Sequence, residues 1–170
     1  LTANQAEWMN AIYSLVFAAL LLTVGHLGDA RGRRVLFAAG MVVFMLASVA
    51  AGAASGPWLL ICARFAQGVG ASAMLTSALS SMNAIFRGRE RGIAFAVYGS
   101  TIGGMAAVGP LLGGWLATDV SWRWAFWLNI PVGLLGIVAS QRYIPNFLAP
   151  RPGRFDLGGY LLLAVAMVAT

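Results

Sequence analysis

The chain has 170 residues, 60% of them hydrophobic and only 9% charged, with a net charge of +6 and a mean hydropathy of +0.81. Soluble domains carry about 25% charged residues, so the composition excludes an ordinary globular domain and places the chain in a bilayer. A basic balance would suggest nucleic acid in a soluble protein. Here every basic residue is Arg, and nearly all lie in short connections between apolar runs, which is the pattern of membrane topology.

The first apolar run, Trp8 to Leu27, is about as long as a spanning helix needs, roughly 20 residues. Asn10, Tyr13, Ser14 and Phe17 recur at i, i+3, i+4 and i+7 and so share one face. Two readings stand for that face: it lines a substrate cavity, or it makes ordinary interhelical hydrogen bonds. The run ends in GHLGDARGRR, Gly25 to Arg34, which packs Gly25, Gly28, Gly32, Asp29, Arg33 and Arg34 into a turn too short to be a domain. Asp29 also has two readings. It pairs with Arg33 or Arg34 in a solvated loop, worth at most about 1 kcal/mol, or it latches a neighbouring element in one conformational state.

The second run spans Val35 to Ala54 and the third Trp58 to about Asn83. Arg64 lies six residues into the third, about 9 Å along a helix. An Arg in mid-span costs about 2.5–3.5 kcal/mol on insertion scales, so it must face the protein interior or water. Gln67, Gly68 and Ala71 follow at i+3, i+4 and i+7, giving Arg64 a polar, small-residue face. Snorkelling to the nearer interface is the alternative.

After the connection RGRERG, a fourth run extends from Gly92 to Ala117. Gly99 with Gly103, and Gly109 with Gly113, are spaced as small-xxx-small pairs, which favours close helix packing. Pro110 removes a backbone hydrogen bond, so GPLLGG, containing Gly109, Pro110, Gly113 and Gly114, reads as a bend flanked by close-contact surface. A fifth run covers Arg123 to about Gln141. The last, Leu157 to Thr170, is too short to cross. The chain starts without Met and stops inside this run, so it is expected to be part of a longer protein.

No strand-like alternation persists, so the expected class is an all-α integral membrane bundle. The connections alternate in charge: Arg31, Arg33 and Arg34, then none; Arg87, Arg89 and Arg91, then Asp119 alone; then Arg142, Arg151 and Arg154. Arg-rich loops stay cytoplasmic, which places Leu1 outside. All six Trp lie near the outer ends of the runs, where an amphipathic ring favours the interface. Arg123 sits on that outer side as an exposed exception. There is no nucleophile–base set, no metal cluster and no phosphate loop, so the sequence does not read as an enzyme. GHLGDARGRR lacks the Gly-Lys-[Ser/Thr] ending of an ATP-binding loop, which makes a gradient the expected energy source.

Taken in order, these elements resemble the major facilitator superfamily, and within it the fourteen-span drug:proton antiporters. Gly25, Leu27, Gly28, Asp29, Gly32, Arg33 and Arg34 are similar to G-x-L-x-D-[RK]-x-G-R-[RK]. Leu60, Arg64, Gln67, Gly68, Gly70 and Ala71 are similar to L-x-x-x-R-x-x-Q-G-x-G-A, and Gly109, Pro110, Gly113 and Gly114 to G-P-x-x-G-G. Trp122, Arg123, Trp124, Phe126, Asn129, Pro131 and Gly133 resemble the start of the family's helix six, and Phe155, Asp156 and Gly159 that of helix seven. Ala30, Met105 and Ser72 depart from the pattern.

The resemblance implies a major-facilitator helical bundle made of family helices two to six plus the start of seven. Residues 1–142 would form the bundle without its first helix, 143–156 a cytoplasmic connection, and 157–170 the next helix. It implies proton-coupled export by alternating access from the cell membrane. Arg64 and Gln67 would serve coupling. Gly25, Gly28, Asp29, Gly32, Arg33 and Arg34 would form a conformational latch, and Gly109, Pro110, Gly113 and Gly114 a kink and seal. The coupling carboxylate is expected outside this chain, since Glu7, Asp29, Glu90, Asp119 and Asp156 all lie at span ends or in loops. Expected partners are protons, a small amphipathic or cationic compound and the lipid bilayer. No nucleic acid and no cofactor are expected, and the protein would be a monomer, with or without accessory export proteins. An importer of a sugar or organic acid, and a non-transporting membrane scaffold, are the alternatives.

Overall fold

The computed structural model describes residues 8, 11–21, 24 and 32–145. The described chain is helical: α1 (Ala11–Leu21), α2 (Arg33–Gly52), α3 (Pro57–Ile85), α4 (Gly88–Trp115), a π-helical turn (Leu116–Val120), a short α5 (Trp124–Trp127) and α6 (Asn129–Tyr143). Among the described residues, Arg33–Gly52, Pro57–Ile85, Gly88–Val120 and Trp124–Tyr143 are long and apolar enough to cross a membrane. Leu157 to Thr170, with Phe155, Asp156 and Gly159, lies outside the described residues, as do Gly25, Gly28 and Asp29 of the loop and Asn10.

Local chemistry sets the boundaries. Gly32 precedes α2 at φ 96°, a left-handed conformation that a side chain rarely adopts. Gly56 and Pro57 open α3, with Pro at the first helical position, where its missing N–H has no intrahelical role. At 29 residues α3 is about 43 Å long, more than the bilayer core needs. The structure shortens one expected loop. α4 starts at Gly88, so Arg89, Glu90 and Arg91 ride on its first turn and only Phe86 and Arg87 connect it to α3. Gly88, at φ 55°, lets the chain reverse there, and Glu90 in the first turn suits the positive end of the helix dipole.

The core lies between α2 and α3. Gly40 and Gly70 bring the two backbones together. A Cβ on Gly70 would fall 2.6 Å from the Gly40 carbonyl oxygen, and one on Gly40 would fall 2.7 Å from the Ala73 Cβ. Ala51, Ala54, Leu60 and Ala63 form the buried apolar cluster at the Trp-bearing end, with Trp122 and Phe126 packed against it. α6 crosses α2 where Gly133 receives the Met45 side chain. Large apolar side chains such as Leu46, Leu111 and Leu135 point outward, as a lipid-facing surface requires.

α4 departs from the expectation of close packing. It runs unbroken through Pro110 and contains no buried residue. None of Gly99, Gly103, Gly109, Gly113 and Gly114 has a described atom within 4 Å of where its Cβ would sit. Small residues permit a backbone to approach, and in the described residues no backbone does.

Candidate functional site

Arg64 stands two turns into α3, in a helix whose sequence holds no Asp or Glu. Its guanidinium carbon lies 4.3 Å from the centroid of the Tyr13 ring on α1, a cation–π contact. Tyr13 in turn stacks on Phe17, with centroids 6.1 Å apart and planes at 9°. Ser14, on the same helix, is exposed. α1 approaches α3 closely because position 68 is Gly: a Cβ there would meet the Tyr13 carbonyl oxygen at 3.0 Å. Tyr13, Arg64, Gln67 and Gly68 therefore come together, and Ser14 stands outside the group.

Arg64 Nη1 donates to Gln67 Oε1 at 3.0 Å, one turn along α3. Gln67 is 1% exposed, and its amide Nε2 donates across to Ser48 Oγ on α2 at 2.8 Å. Asn129 Nδ2, at the start of α6, donates to the same Ser48 Oγ at 3.2 Å. The Ser48 hydroxyl, wholly buried, donates to the Phe44 carbonyl at 2.8 Å. The direction of every bond follows from one fact. A guanidinium only donates, so Gln67 must turn its oxygen to Arg64 and its nitrogen to Ser48. Ser48 then accepts twice and must spend its own proton on Phe44. The result is a polar seam joining α1, α2, α3 and α6.

A second cluster sits at the Trp-bearing end. Arg123 is not the exposed exception that the sequence suggests. It is half-buried, its Nη1 donates to the Gly52 carbonyl oxygen and its Nη2 to that of Ala54 at 2.8 Å, and the guanidinium lies 5.0 Å from the Trp122 ring centroid. The last carbonyls of a helix lack intrahelical donors and form its negative end, so a cation is favoured there. The Trp127 ring packs on Gly52, where a Cβ would fall 2.8 Å from Nε1.

At the opposite end Gly32 turns the chain into α2, and Arg33 Nη1 donates to the Ser80 carbonyl oxygen of α3 at 2.7 Å. Arg34 Nε is buried without a hydrogen-bond partner among the described residues. Gly109, Pro110, Gly113 and Gly114 lie on the bare α4 and are brought to none of these clusters.

Reasoning from sequence missed Ser48 and the role of Asn129. A serine between Ala47 and Val49 carries no signal, because most helical serines bond only their own preceding turn. Asn129 was visible as a polar residue opening an apolar run, but its partner is 81 positions away in sequence.

Residues 1–162 match the sequence model of the Major Facilitator Superfamily. The chain is 43% identical to the puromycin resistance protein pur8 of Streptomyces alboniger, across 98% of this chain and 33% of that protein. It is 36% identical to the probable actinorhodin transporter of Streptomyces coelicolor, across 92% of this chain and 28% of that one. It is 30% identical to the multidrug transporter protein MdtP of Bacillus subtilis, across 98% of this chain and 31% of that one. The chain thus spans about a third of the length of these curated relatives. Its fold superposes on a crystal structure of the peptide transporter POT in complex with alafosfalin, with a TM-score of 0.73 over 99% of this chain and 37% of that one. At 20% identity that likeness concerns the fold alone.

Proposed function

This chain belongs to the Major Facilitator Superfamily, and on that premise we propose that the whole protein exports small amphipathic or cationic compounds in exchange for protons. The observation that carries this reading is Arg64. A charge within a bilayer span is costly, by about 2.5–3.5 kcal/mol on insertion scales, and such residues mark ion and substrate pathways. Here it is held by Tyr13 and Gln67 rather than extended to the interface. The names of the relatives support a drug-like substrate, with puromycin resistance, actinorhodin and multidrug transport among them.

In this reading Arg64 and Gln67 serve proton coupling, acting on a carboxylate elsewhere in the protein by favouring its ionised form. Tyr13 and Phe17, with Asn10 and Ser14, line the path. Gly32, Arg33 and Arg34, together with Gly25, Gly28 and Asp29, form the latch, for which the Arg33–Ser80 bond is the described anchor. Gly109, Pro110, Gly113 and Gly114 present the surface against which the rest of the transporter seals. Transport proceeds by rocking of one bundle against another around a midplane site. The Arg-bearing ends face the cytoplasm and the Trp-bearing ends the outside of the cell membrane.

The test is reconstitution of the full-length protein in liposomes with puromycin as the probe. An imposed pH gradient should drive puromycin against its own gradient, and collapsing the pH gradient should stop it. Puromycin movement that is indifferent to the pH gradient would overturn proton coupling.

A further inference from the structure

Coupling by Arg64 requires that its guanidinium point one way; Tyr13 holds its face, and two residues outside α3 set the Gln67 contact. We infer that Ser48 and Asn129 are positioning residues for Arg64: α2 and α6 orient the Gln67 amide, and the amide orients the guanidinium. The inference rests on the export reading for its transport consequence and on geometry for the positioning itself.

Gln67 is a symmetric reacher. Its amide is able to present either oxygen or nitrogen to Arg64, and only the oxygen is productive. Arg64 takes only the oxygen, and the partner on the far side locks that choice. Ser48 Oγ at 2.8 Å accepts from the Gln67 nitrogen, so the oxygen is left facing Arg64 at 3.0 Å. Ser48 on its own is ambivalent, because a hydroxyl donates as readily as it accepts. Two further contacts remove the ambivalence. The Phe44 carbonyl takes the hydroxyl proton at 2.8 Å, and Asn129 Nδ2 adds a second donor at 3.2 Å. With its proton committed and Asn129 donating to it, Ser48 Oγ is left only as an acceptor for Gln67. The chain of constraint runs from α6 through α2 to α3, and none of its intermediates carries a charge.

The same arrangement ties Arg64 to the Trp-bearing end of the bundle. Asn129 lies six residues after Arg123. Arg123 bonds the last carbonyl of α2, the helix that carries Ser48, and that of Ala54 just beyond it. Trp127, two residues before Asn129, packs on Gly52 of α2. The start of α6 is thereby held against α2 by three separate contacts, of which only Asn129 reaches the polar seam. A shift of α6 relative to α2 would withdraw one of the two donors at Ser48 and loosen Gln67. Arg64 would lose the Gln67 side of its hold without any change in its own helix.

The experiment uses the full-length protein in lipid nanodiscs, with isotopically labelled arginine, and the Arg64 signal assigned by its loss in Arg64→Lys. Hydrogen bonding slows rotation of the guanidinium, so the wild-type Arg64 nitrogens should give separate resonances. Ser48→Ala and Asn129→Leu, two variants of different size and site, should each merge them into an averaged signal. Ser140→Ala removes a buried α6 hydroxyl whose one bond among the described residues is to the Ile137 carbonyl of its own helix, at 2.8 Å, and should leave them separate.

In gradient-driven puromycin transport, Ser48→Ala and Asn129→Leu should lower turnover by up to about tenfold, the upper worth of a hydrogen bond between neutral groups. KM should change by less than about twofold, since substrate binding is untouched. Asn129→Leu combined with Gln67→Ala should be no worse than Gln67→Ala alone, because both act through one amide. Unchanged Arg64 resonances in both variants would overturn the inference, as would additive losses in the double variant. Merged resonances in the two variants, beside wild-type transport that ignores the pH gradient, would sink the export reading and leave the positioning role standing.

Discussion

α2 with α3, and α4, are both rich in glycine, and they use it in opposite ways. Gly40 and Gly70 sit where two backbones touch, and neither has room for a methyl group. The glycines of α4 face open space, along a helix without one buried residue. Glycine spacing thus records where a partner backbone is permitted. It does not record whether the partner belongs to the same segment of chain. The α2–α3 pair finds its partner backbone among the described residues, with a buried core between the two helices. α4 presents a prepared surface whose partner is not among the described residues.

The sharpest way to break that contrast is to fill the glycines on each side of it. Gly70→Val would drive a side chain into the Gly40 carbonyl and the Phe44 backbone, and neither is able to move aside. Overpacking of this kind costs about 3 kcal/mol or more, so full-length Gly70→Val should lose its cooperative thermal transition in detergent or melt far below wild type. A wild-type melting temperature would show that the close contact does not hold the pair together.

Next in size is the clasp at the Trp-bearing end. Arg123→Ala removes two charge-assisted bonds, to the last carbonyl of α2 and to that of Ala54 just after it, a loss of about 2 kcal/mol. Arg123→Lys should recover only part of the melting temperature, because an ammonium lacks the planar fork that reaches both carbonyls. Equal stability for Lys and Arg at this position would reduce the clasp to simple charge at a helix end.

The smallest effect belongs to α4. Gly99→Ala and Gly103→Ala should change the stability of the α2–α3 core little. A gain of up to about 1 kcal/mol in α4 is expected from helix propensity. A large loss in full-length Gly103→Ala would mean that the bare face is covered tightly by the rest of the transporter, and the size of that loss would measure how tightly.

The sequence made the spans legible because hydrocarbon tolerates little else. Runs from Val35 and Trp58 became α2 and α3 almost residue for residue. Arg64 was legible because a guanidinium in an apolar run has few places to go, and Gln67 because it follows at helical spacing. The start of α4 was misjudged, since charged residues read as loop although Gly88 turns the chain early. Arg123 was misjudged for a related reason: its partners are backbone carbonyls about 70 positions earlier, and carbonyls leave no mark in a sequence. Ser48 and Asn129 were hidden because a seam between helices is a property of their azimuths, which small apolar neighbours do not fix. Of the residues proposed for the latch, Gly32, Arg33 and Arg34 are described, and Gly25, Gly28 and Asp29 lie outside the described residues.

Arg64 is the place to test the whole account. Full-length Arg64→Ala should be compared with wild type in liposomes, measuring puromycin transport driven by a pH gradient beside downhill puromycin exchange without one. The account predicts that Arg64→Ala abolishes the driven transport while downhill exchange survives. A variant that still concentrates puromycin at the wild-type rate would contradict it.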